Sequence, residues 1–319
     1  MLLPAGALAA ALPAQSPSLS VSGRVLRGGR DTVPLADTWV VLHRITRTSA
    51  GPQDSVRTDR RGRYRIPLRD LDTTAVYVVS AWYDSLAYFS LPLNVIGRSA
   101  VHVEDIVTYA TTAGAPPIQL ARRLLTVARA GQAGNREVLE ILELENSGVT
   151  TRITRDSLLP TWAGRLPDNV SDVRVGQGDL SAEAVTFRND SIHVLGPIPP
   201  GPAKQLTYSY TLPRDERILT VPIDQDTREV NLLIEDTTAL VTATGLEALG
   251  VKEIEQRFFA TYRAGPLPEG ERVTIELPRG AVQAQMILPY VIALLAIGLV
   301  VALVWALKRK PLASPSSGS

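Results

Sequence analysis

The sequence predicts a mainly β protein. A β-sandwich at about residues 18–109 is followed by a larger Ig-like β-sandwich region at 118–280 and then by one C-terminal transmembrane helix at 286–307. Three observations predict this. Short runs rich in Val, Ile, Tyr and Trp recur through the first 280 residues, with Gly, Pro, Asp or Asn in the gaps, which is the pattern of short strands. A small, polar stretch ending in two prolines, ATTAGAPP at 110–117, divides those runs into two groups. Finally, MILPYVIALLAIGLVVALVWAL at 286–307 holds 22 consecutive residues without a charge.

Taken in order, residues 1–14 form an apolar, Ala- and Leu-rich leader ending in Leu-Pro-Ala, which reads as a secretory signal cleaved after Ala14. It lacks the usual basic start. Six runs follow, at 18–26, 38–45, 63–68, 75–83, 85–91 and 100–109, and strands so spaced predict a sandwich of about ninety residues. The stretch from Thr58 to Tyr64 reads as a hairpin, with Asp59 closing an Asx-type turn and Gly62 supplying a positive-φ position.

These residues carry a resemblance. Val21-Ser22-Gly23-Arg24-Val25, then Val33-Pro34-Leu35-Ala36-Asp37 ahead of Val40-Val41-Leu42, then Thr58-Asp59 with Gly62-Arg63-Tyr64, resemble the carboxypeptidase regulatory-like domain in order and spacing. The resemblance implies a prealbumin-like β-sandwich, an accessory fold of secreted proteins that brings no catalytic residues. The sequence departs from that pattern in a long segment at 47–53, before the hairpin. Trp82, Tyr83, Tyr88 and Phe89 cluster on consecutive runs and are the candidate ligand-binding residues. Such aromatics stack on a sugar or peptide, or else serve as core and cross-strand pairs.

Beyond the linker at 110–117 the β pattern resumes. Runs at 123–129 and 137–145 flank a turn-rich connection and read as a hairpin. VLEILELE at 138–145 does not alternate cleanly, so helix competes there, and the flanking turns favour strand. Leu206, Tyr208 and Tyr210 alternate with Thr207, Ser209 and Thr211, the period of a half-buried strand. GPIPPGP at 196–202 must cap a strand at an edge or corner. The region is read as one Ig-like unit, with two small sandwiches as the alternative.

A helix of 22 residues spans roughly 33 Å against a hydrocarbon core of about 30 Å, so 286–307 is long enough to cross a bilayer. Lys308-Arg309-Lys310 follows it directly, which places the tail at 308–319 in the cytoplasm and the rest outside. The expected location is the cell (inner) membrane as a single-pass type I protein with a periplasmic or extracellular ectodomain. Gly298, Ala302 and Ala306 lie on one face of that helix, a helix–helix contact that would support a homodimer.

The chain has no cysteine, which excludes disulfides and thiolate chemistry. Three of the 33 basic residues lie in the tail, leaving 30 against 32 acidic ones outside, so no footprint for nucleic acid exists there. His43, His102 and His193 stand far apart without ligand spacing, and no nucleophile, phosphate or dinucleotide motif occurs. Asp70-Leu71-Asp72 and Asp224-Gln225-Asp226 lack the oxygen ladder of a calcium loop and read as turns. No cofactor, metal or catalytic residue is therefore expected. The function expected is that of a non-catalytic, membrane-anchored envelope protein, held in the lipid bilayer by its helix, whose sandwiches bind or assemble with a protein partner in the envelope. The alternatives are a glycan or peptide binding module and a hydrolase without a recognisable motif.

Overall fold

The computed structural model describes residues 19–155 and 159–278. They are mainly β, and their one helical element is a single 3-10 turn, Ala182–Ala184. This corrects the expected fold class in one respect: among the described residues no helix is long and apolar enough to cross a membrane. The segment at 286–307, the small-residue face Gly298, Ala302 and Ala306, and the leader at 1–14 all lie outside the described residues.

Two compact units form, and they interleave in sequence. Among the described residues the first takes 19–121, 142–164 and 177–206, and the second takes 122–141, 165–176 and 207–278. The first unit therefore runs past the linker at 110–117 and includes two later segments of the region 118–280.

The strands, in order, begin with β1 (Leu19–Arg27), β2 (Val33–Pro34), β3 (Trp39–Ile45), β4 (Ala50–Arg57), β5 (Arg63–Leu68), β6 (Val76–Tyr83), β7 (Leu86–Phe89), β8 (Ala100–His102) and β9 (Ile106–Thr108). Sheet β4-β3-β6-β7 is antiparallel throughout. In the facing sheet β1 pairs β2 and β5 antiparallel and β8 and β9 parallel. Period-two alternation builds the core: Val21, Val25 and Ile66 from one sheet meet Val40, Leu42, Tyr77, Val79 and Ala81 from the other, all fully buried. Burial of each Val, Leu or Ile among them is worth about 1.5–3 kcal/mol. Among the described residues this core runs from Leu19 to Ile106.

The turn at 58–64 has the predicted chemistry but a different role. Asp59 Oδ1 accepts the N–H groups of Arg61 and Arg63, each at 2.8 Å, and Gly62 sits at φ 71°. The strands it joins are not partners, since β4 pairs β3 and β5 pairs β1, so it is a corner between sheets rather than a hairpin. The long segment before it is β4, an edge strand. Pro52 lies beside the register shift between Leu42 and His43, and an edge with a bulge is where a strand tolerates proline.

The remaining strands are β10 (Thr111–Thr112), β11 (Gln119–Val127), β12 (Arg136–Glu145), β13 (Thr151–Arg152), β14 (Trp162–Arg165), β15 (Ser171–Val175), β16 (Val185–Arg188), β17 (Ser191–Val194), β18 (Lys204–Leu212), β19 (Ile218–Pro222), β20 (Thr227–Ile234), β21 (Leu240–Thr242), β22 (Glu247–Ile254), β23 (Arg257–Ala264) and β24 (Arg272–Glu276). The largest sheet runs β15-β18-β12-β11-β20-β23-β22, and β19-β24-β21 forms a smaller one. VLEILELE is strand, β12, adjacent to β11 as the hairpin reading requires. The second unit buries Leu125, Val138, Tyr208, Tyr210, Leu232 and Ile275.

Burial raises the pKa of Tyr208 and Tyr210 well above 10, with the Glu140 carboxylate adding to the effect. The folded chain thus keeps both phenols neutral where the unfolded chain ionises them. Their contribution is complete below pH 10 and is lost as pH rises beyond it. Denaturant midpoints measured from pH 8 to 11.5 are expected to fall above pH 10, and Tyr208→Phe should flatten that fall.

Candidate functional site

The outer face of sheet β4-β3-β6-β7 gathers exposed aromatic side chains. In β6, Tyr77, Val79 and Ala81 point into the core, so Val76, Val78, Ser80 and Trp82 point out. In β3, Val40 and Leu42 point in, leaving Trp39, Val41, His43 and Ile45 outside. The register Val40↔Ala81 carries Trp39 to the position beside Trp82 on the neighbouring strand. In β7, Phe89 pairs Ser80 and Ala87 pairs Trp82, so Phe89 shares the face with Trp82. Trp39, Trp82 and Phe89 are 47 %, 50 % and 61 % exposed. Three large rings thus stand partly in water on one sheet face, where core rings would be covered.

Polar groups sit between the rings. His43 Nε2 and Ser80 Oγ are 2.8 Å apart, and the imidazole lies 5.7 Å from the Phe89 ring at 47°. Burial lowers the pKa of His43, which favours the neutral ring. Arg57 stands over Trp39 at 4.5 Å and pairs with the Asp37 carboxylate at 2.9 Å. The guanidinium thus covers part of Trp39, and its charge is matched locally.

The other two expected ligand residues do not join this face. Tyr88 pairs Ala81 and packs at the margin of the core. Its hydroxyl donates to Tyr109 O at 2.8 Å and lies 2.8 Å from Thr151 Oγ1. Tyr83 pairs Leu86 at the end of the hairpin. The division follows from the turn. Asp84 and Ser85 both have positive φ, 47° and 66°, as a two-residue type I′ connection requires. That turn fixes the register, and alternation sends Trp82 and Tyr83 to opposite faces. Asp84 Oδ2 accepts from the backbone N–H and the hydroxyl of Thr111, and these bonds lower its pKa.

Sequence reasoning missed Trp39, His43 and Arg57 as members of the face. The alternation within TWVVLHRI carried the signal, but only the pairing with β6 places Trp39 beside Trp82. His102 and His193 lie elsewhere, on β8 and β17. Among the described residues no group of three or more His, Cys, Asp or Glu is placed to hold a metal. The acidic turns serve the backbone: Asp72 Oδ1 accepts Thr74 N–H, and Asp224 and Asp226 accept the N–H groups of Arg165 and Glu269.

No family model matches the chain, and no curated protein matches it. Among solved structures, an M1 zinc metallopeptidase from Deinococcus radiodurans is similar at a TM-score of 0.34 and 10 % identity, over 52 % of this chain and 43 % of that one. The chain thus spans less than half of the peptidase. The Corynebacterium diphtheriae major pilin SpaA is similar at a TM-score of 0.22 and 13 % identity, over 81 % of this chain and 84 % of that one. Likenesses of this degree bear on neither fold nor activity.

Proposed function

We propose that this chain is a non-catalytic binding module of the cell envelope whose first sandwich presents its outer sheet face to another envelope component. The observation that carries the reading is the exposure of Trp39, Trp82 and Phe89 together on one rigid face. Aromatic anchors on strands lose little entropy on binding and supply most of the energy of a recognition surface. The envelope setting rests on the leader and the basic triplet. The turn at Asp59–Gly62 and the two-sheet core of residues 19–106 support the resemblance to the carboxypeptidase regulatory-like domain.

A second reading, a glycan ligand, draws on a separate observation. Arg57 lies over the Trp39 ring and is neutralised by Asp37, so this part of the face carries little net charge, which suits an uncharged pyranose. One pair of assays separates the two readings. The double substitution Trp39→Ala, Trp82→Ala is expected to weaken retention on isolated envelope material more than tenfold, with the melting temperature little changed because both rings are half exposed. Loss of retention on purified neutral polysaccharide as well would identify the glycan, whereas loss confined to protein-containing fractions would identify a protein. Equal retention of wild type and double variant would remove the outer face from the account.

A further inference from the structure

We propose that the outer face of sheet β4-β3-β6-β7 takes a partner surface that is uncharged where it covers His43, and that the face releases this partner on acidification. The inference rests on the proposed function and deepens it, naming the partner's chemistry at one point of the face and the condition that ends binding.

No charged group faces His43 from the strands around it. Along β3, Val41 and Ile45 flank it on the same side. On β6 its register partner is Val78, with Ser80 on the diagonal. On β4 its partner is Pro52, and Ser55 pairs Val41. On β7, Phe89 pairs Ser80. The nearest charges along β3 and β4 are Arg44, which pairs Tyr77, and Asp54, which pairs Leu42, so both belong to the opposite side. Arg57 stands at the far end of the face, over Trp39 and matched by Asp37. Among the described residues of these four strands, His43 is the one histidine, and so the one group whose charge ordinarily changes between pH 5 and 8.

The ring is half-buried before any partner arrives. Ser80 lies beneath it, fully buried although on the outward side, and Phe89 lies beside it. This burial already holds the imidazole pKa below its ordinary 6.5. With no carboxylate nearby, the protonated ring keeps its charge by facing water. His43 adjoins Phe89, so a partner that covers Phe89 reaches it and removes that water. Cover by uncharged groups then lowers the pKa further, because desolvation disfavours the charged form. The bound state prefers the neutral ring more strongly than the free state does. Binding is therefore at full strength above the free-state pKa and weakens as pH falls through it, by at most about tenfold per pH unit for one proton. An acidic partner would show the reverse. It would also strand its carboxylate among Val41, Val78 and Phe89 at neutral pH, where the ring carries no charge to meet it.

The test compares retention of the full chain on isolated envelope material at pH 7.5 and pH 5, for wild type, His43→Gln, His43→Leu and His102→Gln. Each protein is judged by the ratio of its own two affinities, so a change in absolute affinity at His43 does not enter, and titration of the material is common to all four. Wild type and His102→Gln are expected to weaken several-fold at pH 5, and the His43 variants to change by less than about twofold. Either neutral variant suffices if the other folds poorly. A variant-free measurement accompanies them: protection of Phe89 from hydroxyl radicals by the material should be lost in wild type at pH 5. The inference is overturned by a wild-type ratio near one, by equal protection of Phe89 at both pH values, or by the same fall in the His43 variants as in wild type. Tighter binding in acid would overturn it too, and would point to an acidic partner. All of these leave the proposed function standing, whereas absence of retention at both pH values would remove both.

Discussion

Replacing Glu140 with alanine is expected to destabilise the chain by about 3–5 kcal/mol, the cost of stranding a buried charge. Glu140 is fully buried on β12, and its carboxylate accepts from Arg123 Nε at 2.6 Å and from the Tyr210 hydroxyl at 2.9 Å. Arg123, on β11, is 3 % exposed and spends a second donor on Pro222 O at 2.9 Å. Burial opposes the charge on Arg123, but the Glu140 carboxylate outweighs it and holds the guanidinium pKa above its ordinary value. Without Glu140 that cation keeps one carbonyl as its partner, and Tyr210 loses its acceptor. Denaturant unfolding of Glu140→Ala measures the loss, and Glu140→Gln should recover part of it by accepting from Tyr210. The double substitution Arg123→Met, Glu140→Leu should cost far less than Glu140→Ala alone, because it removes both charges. A loss below about 1 kcal/mol in Glu140→Ala would show that the network is not buried as described.

Gly62→Ala is expected to cost about 2–4 kcal/mol, from left-handed strain and overpacking together. At φ 71° an alanine is already strained, and its Cβ would clash with Val25 O. That carbonyl cannot move freely, because it accepts Leu35 N–H, while Val25 N–H donates to Gly62 O at 2.8 Å. The corner ties β1 to the connection between β4 and β5, so the strain falls on both sheets. Gly97 provides the control. It has nearly the same φ, 70°, with nothing within 4 Å of the place an added methyl group would take, so Gly97→Ala should cost only about 1–2 kcal/mol. Thermal melts of the two variants separate clash from strain. Equal shifts would mean that the contact with Val25 contributes nothing.

Local chemistry was legible in the sequence and long-range pairing was not. Asp59 and Gly62 declared their turn because an Asx bond and a positive φ are properties of a few adjacent residues. Whether that turn closed a hairpin or a corner depended on which strands β4 and β5 would choose. The alternation of Leu206, Tyr208 and Tyr210 was plain because all three face inward as hydrophobic rings or chains. In VLEILELE the same alternation was masked by Glu140, a carboxylate in a core position that the distant Arg123 and Tyr210 make tolerable. Leu139 and Ile141 then took the outward positions and blurred the period. The aromatic cluster was found but not divided, since two turn residues set the register that separates Trp82 from Tyr83. Trp39 stands 43 positions from Trp82 and joins it through the β3–β6 ladder alone. The interleaving of the two units lay beyond local signals altogether, because β11, β12 and β18 each pass from one unit into the other.

The central claim, that the first sandwich binds through its outer sheet face, is tested most directly by hydroxyl-radical footprinting of the full chain with and without isolated envelope material. Side-chain oxidation of Trp39, Trp82 and Phe89 should fall several-fold on binding, while that of Val251 and Phe258, exposed on β22 and beside it on β23, should not change. Protection confined to Val251 and Phe258, with Trp39 and Trp82 oxidised as in the free chain, would contradict the account.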